Sequence, residues 1–249
     1  MQVSVNSGYV VQRRKTYRRT VAFQFALWFA VLLVWFLYPG LMPMTWPVLV
    51  IVFIASNFSR QLQFESGVPV PTEERLERAL RPLSNRYWLG SYLQFGRQTV
   101  AHMLVGPEGV LVIEARNHGG MTMYTGGKWR RPGRMIQRIL GVEPSVGDPA
   151  REVTGLVELV RGDLAEAGMP EVPISGAVVF TPSNASLQLE NCPVTVMTAQ
   201  QLARWASEHK LTGNESLIPE PVRHKVIAHY QARMPAQLAQ EARAPRTST

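Results

Sequence analysis

The chain has 249 residues, and the 46% that are apolar can build a sizeable core, which excludes a globally disordered protein. The single cysteine, Cys192, cannot form an internal disulfide, so a disulfide-bonded secreted scaffold is also excluded. A net charge of +8 is typical of proteins that bind nucleic acid or an anionic membrane surface. Five of the bases lie in residues 1–20, which contain no acid, while the remaining residues hold 21 bases and 18 acids. Most of the excess charge therefore belongs to a basic tail, residues 1–20.

The next segment has the composition of a membrane anchor. Between Thr20 and Ser59 there is no charged side chain, and the apolar run Val21–Tyr38 is 18 residues long. At about 1.5 Å per residue, a helix of this length reaches about 27 Å, close to the hydrocarbon thickness of a bilayer. After a Pro-Gly break, Leu41–Asn57 forms a second run of similar length. We therefore predict a transmembrane helical hairpin within residues 21–57, with a single span and a cleaved signal peptide as the alternatives.

The charge distribution predicts the orientation of this anchor. A basic stretch that precedes the first span stays on the cytoplasmic side by the positive-inside rule. With two spans the rest of the chain returns to the cytoplasm, and with one span it lies outside. The prediction is a multi-pass protein of the cell membrane, with the lipid bilayer as a partner and with the N-terminus and the soluble domain in the cytoplasm. Recognition of anionic lipids is an alternative role for the bases in residues 13–19.

The rest of the chain predicts a linker, an α/β domain and a tail. Residues 58–71 are mostly polar and end in Gly-Val-Pro-Val-Pro, as in a linker. Residues 72–210 alternate between helical and strand patterns, and residues 211–233 add a C-terminal helical extension. Residues 234–249 are rich in Ala, Gln, Arg and Pro and predict disorder. A helix, then antiparallel strands, then helix–strand units predict an α/β sandwich with a mixed sheet.

Capping and periodicity predict the elements of this domain. Thr72 can cap a first helix, and Asp148 followed by Pro149 can begin a second. Asp163 and Glu166 lie off the apolar face of the second helix, which predicts that both are solvated. The predicted helices cover residues 72–83, 149–167, 198–209 and 221–233, and the predicted strands cover residues 87–95, 98–105, 109–116, 121–124, 128–130, 174–180 and 194–197.

The sequence Gly106-Pro107-Glu108-Gly109 predicts a tight turn between two of these strands. If it closes a regular hairpin, the numbers of facing residues add up to 215, so that Ala101 faces Glu114. Glu114 and Arg116 then share a sheet face with Val110, because side chains alternate between the two faces. Two acids at positions 101 and 114 would lie about 5 Å apart, close enough to hold one divalent ion. Position 101 is alanine, so half of such a pair is missing.

The hairpin and its surroundings carry a set of motifs in a fixed order. They are Glu73-x-x-Leu76-x-x-x-Leu80-x-x-Leu83, Ala101-His102-Met103-Leu104-Val105-Gly106-Pro107-x-Gly109-Val110-Leu111-Val112-Ile113-Glu114-Ala115-Arg116-Asn117-x-Gly119, Asp148-Pro149-x-x-Glu152 and Val178-Val179-Phe180. Together they resemble the nuclease-related domain (NERD) family over roughly Thr72–Phe180. The resemblance implies a restriction-endonuclease-like fold, with a site made of a helix Glu, a strand Asp and a Glu-x-Lys motif.

This resemblance assigns the catalytic residues by position. The helix acid is retained as Glu73 and the acid of Glu-x-Lys as Glu114, whereas Ala101 replaces the strand Asp. Arg116 replaces the Lys, and Glu152 stands where the family has Gln. In such nucleases the acids hold Mg²⁺ and the lysine helps to position or activate the attacking water. Glu114 alone predicts at best a weak Mg²⁺ site, and Arg116 can grip a phosphate but cannot act as a base.

These changes predict a pseudoenzyme, a membrane-anchored nuclease-related protein with impaired cleavage. Its role would be to bind DNA, RNA or a protein partner at the cytoplasmic face of the membrane. One alternative is an active Mg²⁺- or Mn²⁺-dependent nuclease in which another acid replaces the missing Asp. The other is a purely structural membrane scaffold.

A basic segment after the hairpin is the candidate nucleic-acid-binding loop. It holds five bases in 11 residues without an acid, and one aromatic residue lies among them. A loop on the anionic membrane surface and a plain solvated loop are alternatives. His102 is predicted to lie on the opposite sheet face from Glu114, and His118 in the loop after the strand. The five bases are Lys128, Arg130, Arg131, Arg134 and Arg138.

Overall fold

The computed structural model describes residues 1–38, 72–133, 145–208 and 217–234, together with single positions between residues 40 and 56. The chain divides into two compact units. The first contains residues 1–7, 70–132 and 146–249, and the second contains residues 8–69 and 133–145. The described strands all belong to the first unit, and the long N-terminal helix belongs to the second apart from its first residue.

Fourteen elements follow one another in the described parts of the chain. The strands are β1 (Gln2–Val5), β2 (Trp88–Phe95), β3 (Gln98–Gly106), β4 (Gly109–Arg116), β5 (Gly120–Thr125), β6 (Lys128–Arg130), β7 (Ile174–Phe180), β8 (Ala185–Leu189) and β9 (Thr195–Thr198). The helices are α1 (Ser7–Leu37), α2 (Thr72–Leu80), α3 (Pro149–Glu166), α4 (Ala199–Ser207) and α5 (Glu220–Ala232).

The first unit is built on a six-stranded mixed sheet with the order β1-β2-β3-β4-β7-β9. β3 runs antiparallel to both β2 and β4, whereas β1 lies parallel to β2, and β4, β7 and β9 are mutually parallel neighbours. A second sheet has the order β6-β5-β8. The predicted mixed α/β class with a mixed sheet is therefore confirmed.

The hairpin of β3 and β4 has the predicted register. Val105 pairs with Val110 and His102 pairs with Ile113, so the numbers of paired residues add up to 215. Ala101 and Glu114 come next on their two strands. The tight turn therefore sets which residues lie side by side at the far end of the hairpin.

Alternate residues of β4 enter two separate hydrophobic cores. Val110 and Val112 belong to the first core, which also contains side chains of α3 and α5. Leu111 and Ile113 belong to the second core, which contains side chains of α2 and α4. Helices thus cover both faces of the six-stranded sheet, and the alternation along β4 places Glu114 and Arg116 on the face of the first core.

Helix α3 begins where the sequence predicts and packs closely on the sheet. The Asp148 side chain accepts a hydrogen bond from the Arg151 backbone N–H at 3.3 Å, and Pro149 opens the helix. A Cβ at Gly176 in β7 would lie 2.9 Å from Val153 of α3. Because only glycine avoids this clash, the close packing of α3 on β7 depends on that residue.

Asp163 is not solvated, contrary to the prediction. Its carboxylate lies 2.9 Å from His229 Nε2 and 2.5 Å from an Arg233 nitrogen, and its side chain is 9% exposed. The helical periodicity correctly placed Asp163 off the apolar stripe of α3. It could not show that α5 and the residue after it bring two bases to that position.

Three further details differ from the sequence prediction. Helix α2 ends at Leu80, three residues earlier than predicted. Strand β8 was not predicted, although Ala185, Leu187 and Leu189 alternate with polar residues over its five positions, and none of its residues is buried. Strand β1 lies within the basic tail, for which no secondary structure was predicted.

Helix α1 contains the apolar segment of the second unit. Its residues Arg18–Leu37 are long and apolar enough to cross a membrane. Large apolar side chains on this helix are exposed, among them Phe25, Phe29 and Phe36. The segment predicted as a second span falls largely outside the described residues. One of its described residues, Ser56, accepts hydrogen bonds from Gln24 and, at 3.4 Å, from Trp28 Nε1 of α1.

We expect Asp163→Asn to lower the free energy of unfolding by about 2 kcal/mol, because His229 and Arg233 lose the carboxylate that both of them contact. Thermal unfolding in detergent would measure the change as a lower Tm. Glu166→Gln is the matched control, since Glu166 is exposed on the same helix. Equal Tm values for the two variants would contradict a stabilising role for the Asp163 ion pairs.

Candidate functional site

A cluster of three charged side chains lies at the end of β4. An Arg116 guanidinium nitrogen is 2.5 Å from Glu152 Oε2 and 3.5 Å from Glu114 Oε1. Glu152 lies in the first turn of α3, so the Asp148 cap that fixes the start of this helix also fixes Glu152. One arginine thus pairs with two carboxylates that come from a strand and from the helix packed on the same sheet face.

Glu114 lies in an environment that favours its neutral form. Burial raises the pKa of Glu114 to about 7, the Arg116 charge lowers this pKa, and the Glu152 charge raises it. The side chain of Glu114 is 15% exposed, against 50% for Glu152. The Arg116 ion pair therefore only partly offsets the cost of burying a carboxylate at the end of β4.

A second polar group surrounds Glu73 at the start of α2. The Tyr92 hydroxyl donates a hydrogen bond to Glu73 Oε2 at 2.9 Å. The Tyr92 ring lies 5.6 Å from the His102 ring, and Ser91 Oγ is 3.0 Å from His102 Nδ1. His102 and Ser91 are fully buried. Glu73 is therefore held by a tyrosine of β2 whose ring packs on the histidine next to Ala101.

The strands β2 and β3 are distorted at this second group. Ser91 pairs with His102 and Leu93 pairs with Val100, but the intervening pair Tyr92 and Ala101 is missing from the ladder. Tyr92 has a φ of 61°, which is unusual for a residue with a bulky side chain. The irregularity thus falls at Ala101, the residue that the resemblance predicts in place of a strand Asp.

The two groups do not form a metal site among the described residues. Glu73 is a residue of α2, a helix of the second core, and it is bonded to Tyr92 of β2. Glu114 lies on the face of the first core, and it shares Arg116 with Glu152 of α3. Within the described ranges, no three His, Cys, Asp or Glu side chains come together in a way that could hold a metal ion. Position 101 offers only a methyl group, and Glu114 and Glu73 are engaged by Arg116 and Tyr92. The described residues do not fit the Mg²⁺ site that the family resemblance implies.

Part of the candidate nucleic-acid-binding loop is attached beside the first group. The Trp129 ring lies 5.0 Å from Tyr124 and 6.1 Å from Phe180, and Phe180 pairs with Arg116 in the sheet. Arg131 donates a hydrogen bond to the Gly119 carbonyl, three residues beyond β4. The hairpin of β5 and β6 is thereby held next to the end of β4.

The bases of this loop have different environments. Lys128 and Arg130 are exposed, whereas Arg131 is partly buried against the chain after β4. Arg134 and Arg138 lie outside the described residues. The loop therefore contributes two bases whose side chains are open to solvent in the described part of the chain.

Sequence reasoning missed several members of these groups. No residue pattern pointed to Tyr92 and Ser91, because their contacts with Glu73 and His102 depend on an irregularity of the β2 backbone. Arg75 of α2, which donates a hydrogen bond to Asn117 just after β4, was also missed. His118 lies in the loop after β4, as the sequence predicts, but its burial at 3% exposure was not expected. Its place directly after a strand end was the only signal available.

Fold and site together define a mixed α/β domain with charged groups around the end of a central strand. The family model described as the nuclease-related domain (NERD) matches residues 70–181, which confirms the resemblance found in the sequence. The elements from α2 to β7 are thus similar to a nuclease-related domain. Comparisons with curated proteins and with solved structures gave no match.

The environment of Glu114 predicts a pH-dependent stability. A raised pKa means that the folded state holds a proton on Glu114 that the unfolded state releases, so this contribution is lost as the pH rises through about 7. We expect Glu114→Gln, which mimics the protonated acid, to be more stable than the parent protein by about 3 kcal/mol at pH 8. At pH 4, below the unfolded pKa, the two proteins should be nearly equal. Tm values at both pH values test this, and an equal difference at both would contradict it.

Proposed function

We propose that this protein is a membrane-anchored nuclease-related protein that binds nucleic acid at the cytoplasmic face of the membrane and cleaves it poorly or not at all. The observation that carries the proposal is the position of Arg116, which pairs with Glu114 and Glu152 beside an exposed basic hairpin. We propose a restriction-endonuclease-like arrangement for residues 72–210, with residues 211–233 as a helical extension and residues 234–249 as a tail.

Anion binding at the end of β4 is supported by the donors found there. Arg116 Nε is buried and has no hydrogen-bond partner in the described part of the chain. A guanidinium presents a planar set of donors that matches a phosphate, and it stays protonated at any physiological pH. A phosphate at this site would compete with Glu114 and Glu152 for Arg116. Because the raised pKa of Glu114 favours its neutral form, breaking the Arg116–Glu114 contact costs less free energy than breaking a fully ionised pair.

The basic hairpin supports the same ligand class. Lys128 and Arg130 are exposed on either side of Trp129, whose ring is fixed against Tyr124 and Phe180. Exposed bases on a rigid support contact a phosphate backbone without reading its sequence. We therefore assign the hairpin to the positioning of a nucleic acid, with its phosphates extending towards Arg116. Arg131 belongs to the same proposed surface, and Arg134 and Arg138 are assigned to the same ligand class from the sequence alone.

Impaired cleavage is supported by the side chains at three catalytic positions. Ala101 offers no ligand to a metal ion, and Glu73 is bound by the Tyr92 hydroxyl. Arg116 cannot take a proton from water, because arginine does not release its own at accessible pH. These residues can still hold a phosphate in place. A site that binds without activating water is the function that this chemistry supports best.

The membrane assignment is supported by the apolar C-terminal part of α1 and by the basic N-terminal part of the same helix. Its apolar part leaves large side chains exposed, as a lipid-facing helix does. In its first half, Lys15, Arg18 and Arg19 line one cavity with Val11 and Ala22. The absence of acids in residues 1–20 supports a cytoplasmic N-terminus. The hydrogen bonds from α1 to Ser56 support a hairpin of two spans, because polar side chains commonly join helices in a bilayer.

The binding proposal predicts the effect of removing charge from the hairpin. In the full chain, we expect Lys128→Gln/Arg130→Gln to weaken the binding of labelled DNA and RNA about 10-fold at 0.1 M salt. The slope of log affinity against log salt should fall by about 2, since two phosphate contacts are lost. Arg78→Gln/Arg81→Gln is the matched control, because it removes two exposed bases elsewhere in the domain.

Three outcomes of this assay would count against the proposal. Metal-dependent cutting in Mg²⁺ or Mn²⁺ that disappears in Glu114→Gln would establish an active nuclease. Equal weakening by the hairpin variant and its control would remove the hairpin from the binding surface. DNA or RNA binding that does not depend on salt, or no binding at all, would favour the protein-partner and scaffold functions instead.

Two spans and a cytoplasmic domain predict a defined protease accessibility. In intact cells the C-terminal tail should resist added protease, and it should be digested once the cytoplasmic side is exposed. A tag after Thr249 reports the cleavage on a blot. Digestion in intact cells would instead support a single span with the domain outside.

A further inference from the structure

The segment that precedes the apolar helix is a strand of the nuclease-related sheet. β1 pairs in parallel with β2, from Gln2 opposite Trp88 to Val5 opposite Ser91. The Trp88 indole donates a hydrogen bond to Ser4 Oγ at 3.0 Å, and the Gln2 backbone N–H donates to the Tyr87 carbonyl at 2.9 Å. Trp88 is fully buried. β1 therefore covers the edge of β2 and satisfies a buried donor there.

Asn6 continues these contacts beyond the end of β1. Its backbone N–H donates to the Ser91 carbonyl at 3.1 Å, and its side-chain Nδ2 donates to the Tyr92 carbonyl at 3.3 Å. Asn6 is only 4% exposed. One buried residue thus holds two consecutive carbonyls of β2.

Those carbonyls belong to the two residues that organise the group around Glu73. Ser91 contacts His102, and Tyr92 reaches Glu73 with its hydroxyl. Tyr92 does so from a backbone conformation with φ of 61°, which a bulky side chain adopts only when its surroundings fix it. The Asn6 side chain fixes the carbonyl of this same residue.

We propose that Asn6 is a positioning residue that holds Tyr92 in the conformation that brings its hydroxyl to Glu73. Docking of β1 on β2 brings Asn6 into place, and Asn6 acts through the Ser91–Tyr92 backbone. The Glu73 group is then complete only when the N-terminal segment is docked. This inference concerns the geometry of Glu73 and stands apart from nucleic-acid binding.

β1 and α1 follow each other directly along the chain. Asn6 is the one residue between β1 and α1. The strand that completes the nuclease-related sheet and the helix assigned to the membrane are therefore consecutive in sequence. A soluble fragment that begins after the apolar segment lacks β1 and Asn6, so its Glu73 group is incomplete.

The test uses the full chain in detergent with 3-fluorotyrosine in place of its seven tyrosines. Tyr92→Phe identifies the ¹⁹F resonance of Tyr92, and Glu73→Ala shows where that resonance moves when the hydroxyl loses its acceptor. Asn6→Asp is nearly isosteric but cannot donate to the Tyr92 carbonyl. We expect it to shift the Tyr92 resonance towards its position in Glu73→Ala.

Asn85→Ala is the matched control. The Asn85 side chain accepts a hydrogen bond from the Met1 nitrogen at 2.8 Å, so this change loosens the other end of the same segment. It should leave the Tyr92 resonance in place. An unchanged resonance in Asn6→Asp, or an equal shift in the control, would overturn the proposal.

A second measurement applies if Asn6→Asp folds poorly. Tm values of Asn6→Ala, Glu73→Ala and the double variant form a double-mutant cycle between two residues that are joined through Tyr92. We expect the loss of Tm in the double variant to fall short of the sum of the single losses by at least half of the Asn6→Ala effect. Additive losses would show that Asn6 does not act on the Glu73 group.

Discussion

The pairing of Arg116 with two carboxylates sets the charge balance at the end of β4. Glu114 is buried enough to favour its neutral form, while the more exposed Glu152 approaches the same guanidinium from α3. A permanent cation therefore lies between one buried acid and one half-exposed acid. The chain itself supplies the positive charge at this place. A phosphate or a divalent ion that approached it would have to compete with charges already present, and the two ligands are affected oppositely: Arg116 attracts the phosphate and repels the ion.

The sheet order explains how these groups come together. β4 lies between β3, its hairpin partner, and β7, its parallel neighbour, so its end is bounded by Ala101 on one side and Phe180 on the other. Helix α3 connects the second sheet to β7 and brings Glu152 to the face of Glu114. Trp129 packs on Phe180 and anchors the basic hairpin. Local sequence features determine β4 and the start of α3. The parallel pairing of β4 with β7 is what brings their residues together at the site.

The parts that the sequence predicted correctly are those with a local physical cause. The Gly-Pro-Glu-Gly turn fixed the register of β3 and β4, and Asp148 with Pro149 fixed the start of α3. What it missed depends on distant partners. The prediction of a solvated Asp163 failed because its partners in and after α5 lie more than 50 residues further along the chain. Strand β1 was missed because residues 1–20 were read as a basic tail. The φ of Tyr92 is imposed by tertiary contacts, so the link from this residue to Glu73 had no signature in the sequence.

The two acids that the resemblance assigns to the site have different neighbours. Glu73 lies at the start of α2, a helix of the second core, and Glu114 lies on the face of the first core. Tyr92 reaches Glu73 through a distorted strand pair that includes Ala101, and Arg116 reaches Glu114 along its own strand. With the acid at position 101 absent, no side chain at that position draws the two remaining acids towards a shared ion. Each acid instead interacts with its own neighbour, Glu73 with Tyr92 and Glu114 with Arg116.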